Sequence, residues 1–333
     1  MIQRSTRCSN KDAARKIEAA WRTADALNEV GLSSAAQQHV TLLQLEKRFF
    51  SYLGNRVATS TVQFYKTAWV PISFSPLYMV NLQRIDSARV EEFVQRRKLE
   101  GVRPATINNS LKTLRRVLHL AYEWKFLSRI PKIRLLTGER SREFIISEEL
   151  LATIVNKATP VMRQLLPFLI DSGLRISEAV ELTWETVSLE PKQDAHRGWV
   201  FVTKGKTPAA RRYVPLTARA AAIIAERIAA KGSSQFVWTL KRSKRLTRTW
   251  ASKLFHAIAK EMELPWDAVL HSTRHTFCTR LGESGADAFT IKQLAGHASI
   301  LISQRYVHPT PARLENAIGA LEASTKTAVE AVQ

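Results

Sequence analysis

The sequence predicts a mainly α protein with one small antiparallel β-hairpin or sheet, divided into a helical domain and a mixed α/β domain. Three observations carry this. Apolar residues recur at helical spacing through most of the chain. Only two short runs, Trp199–Val202 and Arg212–Pro215, read as strands, and a Gly- and Pro-containing turn, Thr203 to Arg211, joins them. The length of 333 residues fits two domains, and the charged, proline-bearing stretch Ser128 to Arg134 suits an exposed linker.

In chain order, residues 1–37 are a short basic lead with a helix expected near 11–30. Residues 38–127 are expected to be a helical domain. Val40, Leu43, Leu45, Phe49 and Leu53 follow a roughly helical spacing, as do Val90, Phe93 and Val94. Behind a Pro104 start, Ile107, Leu111, Leu114, Val117, Leu118 and Ala121 do the same. A linker is expected over 128–143 and a second domain over 144–310. There Ser147 reads as an N-cap with Glu148 and Glu149 in the first turn. Further helices are expected near 160–172, 175–184, 217–230, 247–262, 272–284, 287–295 and 300–307. A last helix near 311–322, in a tail over 311–333, would dock on its own chain or on a neighbouring copy; the sequence leaves both open.

Composition narrows the function. Lys and Arg number 50 against 29 Asp and Glu, a formal net charge of +21. Both domains are basic, which fits a polyanion contacted by both, and nucleic acid is the commonest such partner. The two cysteines, Cys8 and Cys278, lie far apart, which excludes a disulfide scaffold or a cysteine zinc module and fits a reducing compartment. No signal peptide or membrane-spanning run is expected, so a cytoplasmic, DNA-associated location is.

The polar residues that interrupt the apolar pattern of the second domain are Arg175, Lys204, His271, Arg274, His297 and Tyr306. Two guanidiniums can hold the non-bridging oxygens of a phosphodiester and offset the charge of a pentacoordinate transition state. A tyrosine oxygen can attack and keep the bond energy as a phosphotyrosine. A lysine or histidine can protonate the leaving oxygen. Carboxylates clustered for magnesium are missing, so chemistry without metal or other cofactor is expected.

All of these but Lys204 sit in three ordered boxes. Ser172-Gly173-Leu174-Arg175-Ile176-Ser177-Glu178 resembles the first arginine box of the tyrosine recombinase (phage integrase) family. His271-Ser272-Thr273-Arg274-His275 resembles its His-x-x-Arg box. Leu294-Ala295-Gly296-His297, with Tyr306 nine residues on, resembles its third. Residues 38–127 are similar to the family's core-DNA-binding domain, and residues 1–37 to the end of an arm-binding domain. The resemblance implies that Arg175 and Arg274 clamp the scissile phosphate and that Tyr306 attacks it. It implies that His271 and His297 bind phosphate and help move protons, that Lys204 protonates the 5′-oxygen, and that Glu178 steadies Arg175. Lys206 stands on the same turn as an alternative to Lys204. The implied protein is a recombinase of a phage, prophage or other mobile element. It would act on duplex attachment sites as a homo-oligomer, a tetramer in the synapse, with accessory DNA-bending or excision factors and no membrane. A type IB topoisomerase shares the chemistry, but the separate helical domain and the His297–Tyr306 spacing favour the recombinase. The complete set of side chains speaks against a non-catalytic DNA-binding relative.

Two basic stretches are expected to touch DNA. One is Lys241, Arg242, Lys244, Arg245 and Arg248, ahead of an amphipathic helix; the other is Lys112, Arg115 and Arg116. The pair His271 and His275 has zinc-ligand spacing, but Ser272 stands where a metalloprotease needs Glu. His275 is therefore expected to be a helix-packing residue, His308 solvated or DNA-facing, and Cys278 buried and inert.

Overall fold

The computed structural model describes residues 10–29, 39–138, 143–191, 195–203 and 211–307, with 311, 314, 315, 318 and 319. The chain divides into two compact units, Met1–Arg140 and Ser141–Gln333.

The regular elements among the described residues of the first unit are helices: α1 (Lys11–Glu29), α2 (Leu42–Gly54), α3 (Thr59–Ser73), α4 (Ser87–Leu99) and α5 (Pro104–Glu123), with two 3-10 turns between α3 and α4. A reciprocal cap opens α2: Thr41 accepts from the Gln44 N–H, and Gln44 accepts from the Thr41 N–H. The buried stripe of α2 includes Leu45, Phe49 and Leu53 as expected, but it starts at Leu42, and Leu43 faces solvent. α3 was not anticipated, because Pro71 interrupts it; its Ala68, Trp69 and Ile72 are nonetheless buried. Trp69 stacks on Phe49 at 5.5 Å, and Ser110 of α5 donates to the Ala68 carbonyl. Part of the expected linker lies on this core. Ile133 is buried in it, Asn108 exchanges two hydrogen bonds with the Leu136 backbone, and Arg115 donates to the Ile133 carbonyl at 2.5 Å.

The second unit joins helices to a small sheet. Its elements are α6 (Glu148–Lys157), α7 (Pro160–Ser172), α8 (Ile176–Ala179), β1 (Val187–Ser188), β2 (Trp199–Val202) and β3 (Arg212–Pro215). α9 (Ala218–Ala229), α10 (Arg248–Glu261), α11 (Ser272–Glu283), α12 (Ala288–Ala295) and α13 (Ile300–Gln304) follow. The sheet is antiparallel in the order β1-β2-β3, with Val200 opposite both Val187 and Val214. The hairpin was expected; β1 was not. The helix expected over 175–184 is cut to α8. Thr183 is captured by a bridge to Phe236 and the Trp184 indole by the Ser234 carbonyl, so tertiary pairing overrides the local pattern. The helix expected over 300–307 stops at Gln304, leaving Tyr306 in a turn. The helix expected near 311–322 lies largely outside the described residues, as do Lys204, Lys206 and His308.

α7 runs through the core of this unit, where Leu165, Phe168 and Leu169 are fully buried and Phe168 meets Trp238 at 5.1 Å. A smaller cluster, Phe277, Cys278, Ile291 and Ala295, holds α12 and the Tyr306 segment against α11. No helix among the described residues is long and apolar enough to cross a membrane.

Candidate active site

Each residue of the site is presented by an element end. Gly173 terminates α7 at φ 61°, and the turn it makes delivers Arg175 to the start of α8. A side chain at 173 would collide with the Phe277 ring, a Cβ lying 2.1 Å from it. Arg274 stands in the first turn of α11, with His271 as the residue before that helix. Gly296, at φ 66°, ends α12 and sets His297 beside the arginines.

A buried carboxylate organises the cluster. Glu178 accepts from the Arg175 backbone N–H at 3.0 Å and from its guanidinium at 2.7 Å, and from Arg212 at 3.0 Å. Arg175 also donates to the Gly296 carbonyl at 3.0 Å, and Arg212 to the Leu294 carbonyl at 2.7 Å. The first and third boxes are thereby tied together. Burial acts to raise the Glu178 carboxyl, but Arg212 and Arg175 overcome it and hold it below the usual range.

Arg274 is 3% exposed. Its Nη1 donates to the Gly173 carbonyl at 2.8 Å, while its Nη2 is buried with no hydrogen-bond partner among the described residues. Burial, and then the neighbouring Arg175, bring this guanidinium down to about 10. His297 is also buried, with Nδ1 2.8 Å from the Ser303 hydroxyl. Burial first, then Arg274, Arg175 and Arg212, push its imidazole down to about 3, so it is neutral here. The cluster is thus cationic and has one unmet donor in a dry setting, an arrangement that favours an anion with acceptor oxygens.

Tyr306 lies beside it. Its ring is nearly parallel to that of His297, with centroids 6.3 Å apart, and its hydroxyl is 3.1 Å from Nδ1 of His275. Burial raises the phenol above its ordinary value, while Arg305 and Arg274 act to lower it. The turn that carries it rests on Gly282 of α11, where a Cβ would come within 1.9 Å of the Tyr306 carbonyl oxygen.

The phage integrase family model matches residues 146–313, half of the chain and all the boxes just described. The chain belongs to the phage integrase family of tyrosine recombinases. Among curated proteins it is 26% identical over 249 residues to the tyrosine recombinase XerD of Listeria monocytogenes, across 70% of this chain and 81% of that one. Its fold matches the Tn1549 transposon integrase in complex with circular intermediate DNA at a TM-score of 0.73. That match has 18% identity and covers 84% of this chain and 99% of that one. A lambda integrase dimer bound to a COC′ core site matches at 0.68, with 17% identity, over 81% and 96% of the two chains.

In this recombinase five of the expected site residues, Arg175, Glu178, Arg274, His297 and Tyr306, converge within one cluster. His271 is exposed at the start of α11. Sequence reasoning passed over Arg212, seen only as a strand residue, and His275, expected merely to pack a helix. Arg212 is one of the few arginines buried to 3%, and its position opening a strand next to the site was the available signal. Cys278 is buried as expected, its thiol pushed to about 11 by burial.

The expected DNA-contact residues divide. Lys112, Lys241, Arg242, Lys244 and Arg248 are exposed, and Arg116 is half-buried. Arg115 is engaged with the Ile133 carbonyl. Arg245 pairs with Glu181 and lies 4.1 Å over the Phe236 ring, which gives it a structural task within the unit.

Proposed function

We propose that this recombinase is the integrase of a phage, prophage or other mobile element, cutting duplex DNA through a 3′-phosphotyrosine on Tyr306. The observation that carries the chemistry is the buried, unpartnered Nη2 of Arg274 beside Arg175 and His297. A phosphodiester oxygen fits that donor, because a charge-assisted bond there would satisfy a group that otherwise loses its hydration. Arg175 and Arg274 would neutralise the equatorial oxygens of the transition state, and His297 would add a neutral donor. His271 would join them at the rim. Lys204, in the β2–β3 connection, would protonate the 5′-oxygen as the strand leaves. Glu178 would hold Arg175 in place without touching DNA. The basic surface residues of both units would bind flanking phosphates, and four copies would act together on paired attachment sites. Residues 38–127 would bind the core of the site and 144–310 would cut it. The work would take place in the cytoplasm, on DNA.

The mobile-element reading is supported by the fold match with the transposon integrase over 84% of the chain. The likeness to XerD supports a second reading, a resident recombinase acting at a fixed chromosomal site. One experiment addresses chemistry and origin. The protein is expressed in its host, covalent protein–DNA adducts are isolated, and the attached DNA is sequenced. Adducts at the borders of the element that encodes the protein support the integrase; adducts at one site elsewhere support the resident enzyme. Tyr306→Phe, which removes one oxygen and keeps the ring, should bind DNA and give no adduct. An adduct from that variant on a nicked trapping duplex would show that another residue attacks.

A further inference from the structure

The Tyr306 hydroxyl must lose its proton to attack phosphorus, and burial makes that harder by raising the phenol. Nothing in the arginine cluster can accept the proton. The guanidiniums have no lone pair to offer, and four arginines, Arg274, Arg175, Arg212 and Arg305, oppose protonation of His297. Its Nδ1 is already engaged with Ser303.

His275 is placed differently. It lies one residue after Arg274 on α11 and meets the Tyr306 ring rather than the arginines. Its Nδ1 is 3.1 Å from the Tyr306 oxygen, the rings being tilted by 56°. A hydrogen bond with the Glu143 backbone also acts on this imidazole. In the tautomer that carries its N–H on the second ring nitrogen, the Nδ1 lone pair faces the phenol. A base held by a third group and facing the nucleophile is the arrangement that activates serine and cysteine nucleophiles. The charged groups acting on His275 are Arg305, which opposes its protonation, and Glu143 and Asp267, which favour it. Burial is the largest influence, and the net result lies below the ordinary imidazole value, a direction that favours the neutral ring a proton acceptor needs. Arg305 acts on the same phenol in the sense that lowers it and would stabilise the phenolate that forms.

We propose that His275 is the general base of strand cleavage, a catalytic residue whose Nδ1 takes the proton of Tyr306. The proposal rests on the reading of Tyr306 as the nucleophile. As the O–H proton passes to Nδ1, the phenol oxygen forms the new O–P bond. The bond from phosphorus to the 5′-oxygen breaks with its electron pair, and that oxygen takes a separate proton from the Lys204 ammonium. Rejoining runs in reverse: the 5′-hydroxyl attacks, and the His275 imidazolium returns its proton to the departing tyrosine oxygen.

The test is single-turnover adduct formation on a nicked trapping duplex, followed across pH. In the wild type the rate should fall as the pH drops below the ordinary imidazole range and His275 is protonated. His275→Asn keeps an acceptor but cannot take a proton. It should bind DNA normally and cleave about a hundredfold or more slowly at neutral pH, and its deficit should shrink as rising pH ionises the phenol directly. Trifluorotyrosine at position 306, a more acidic phenol, should restore most of the rate of the Asn variant. His275→Gln serves equally if the Asn variant fails to bind DNA. A deficit that is the same at every pH and is not restored by the acidic phenol would overturn the proposal and leave His275 as a packing residue. So would a wild-type rate that stays flat through the imidazole range. Tyr306→Phe assayed in parallel separates the two readings. An adduct from it means the nucleophile is misassigned, whereas its loss together with a wild-type profile in His275→Asn means only the base is.

Discussion

The arginine cluster and the Tyr306 segment lie side by side and are built on opposite plans. Arg175 and Arg212 are each fixed twice, and Arg274 once. Arg175 grips Glu178 and the Gly296 carbonyl, Arg212 grips Glu178 and the Leu294 carbonyl, and Arg274 hangs from the last turn of α7. Tyr306 instead follows a five-residue helix, packs on a cluster of four buried residues, and is held by contacts to His275 and Arg305. The difference teaches a division of labour. The groups proposed to bind the phosphate are preorganised, which would lower the reorganisation that a charged transition state demands. The group proposed to change partners, from its resting hydrogen bond to phosphorus and back, is on the lighter support.

The largest blow to the rigid side should come from Glu178→Gln. It leaves two guanidiniums facing each other without their carboxylate, and breaking a buried ion pair costs roughly 3–5 kcal/mol. Urea unfolding should show that loss; a loss under about 1 kcal/mol would mean that the carboxylate is not the tie described here. The same substitution should alter the acid limb of stability. A carboxyl held below its unfolded value contributes stability that is present above that value and disappears as pH falls through the folded one. The wild type should therefore weaken as pH drops below the ordinary carboxylate range, and the Gln variant should weaken less.

Gly282→Ala breaks the comparison from the other side. Its Cβ would meet the Tyr306 carbonyl oxygen at 1.9 Å, so the turn must move, while Arg175 and Arg274 keep their supports. Displacement of about 1 Å at a reacting atom costs on the order of a hundredfold in rate. Adduct formation should fall by that much with DNA affinity unchanged; equal losses of both would mean that the two regions move as one. Ser303→Ala should act least. It removes the hydroxyl between α13 and the His297 ring, a hydrogen bond worth about 1 kcal/mol. Thermal unfolding should register that small shift, with cleavage reduced by about tenfold at most. A larger rate effect would place His297 orientation under the control of the Tyr306 segment.

Much of this was open to sequence reasoning because the signals are local. Ser147, Thr247 and Asp287 cap the helices that follow them, and the three boxes keep order and spacing within short stretches. What escaped depends on contacts between distant positions. Arg212 earns its place through Leu294 and Glu178, and no periodicity around residue 212 announces either. His275 was assigned to packing because its sequence neighbourhood is helical; only the fold brings Tyr306 to its ring. Leu42 and Leu43 are both apolar, and the cap at Thr41 decides which turns inward. β1 is two residues long and exists because β2 offers it an edge. Arg115 and Arg245 carry the charge expected of DNA contacts, yet the fold gives each an internal acceptor.

The bond from Arg274 to the Gly173 carbonyl has one more consequence. It attaches the anion receptor to the end of α7, the helix buried deepest in the second unit. Local openings that let backbone amides exchange with solvent start where few apolar groups are buried, and they leave such a core helix untouched until the whole unit opens. The receptor therefore inherits the global stability of its unit. The turn carrying Tyr306 rests on a small satellite cluster, so its amides should exchange sooner than those of α7.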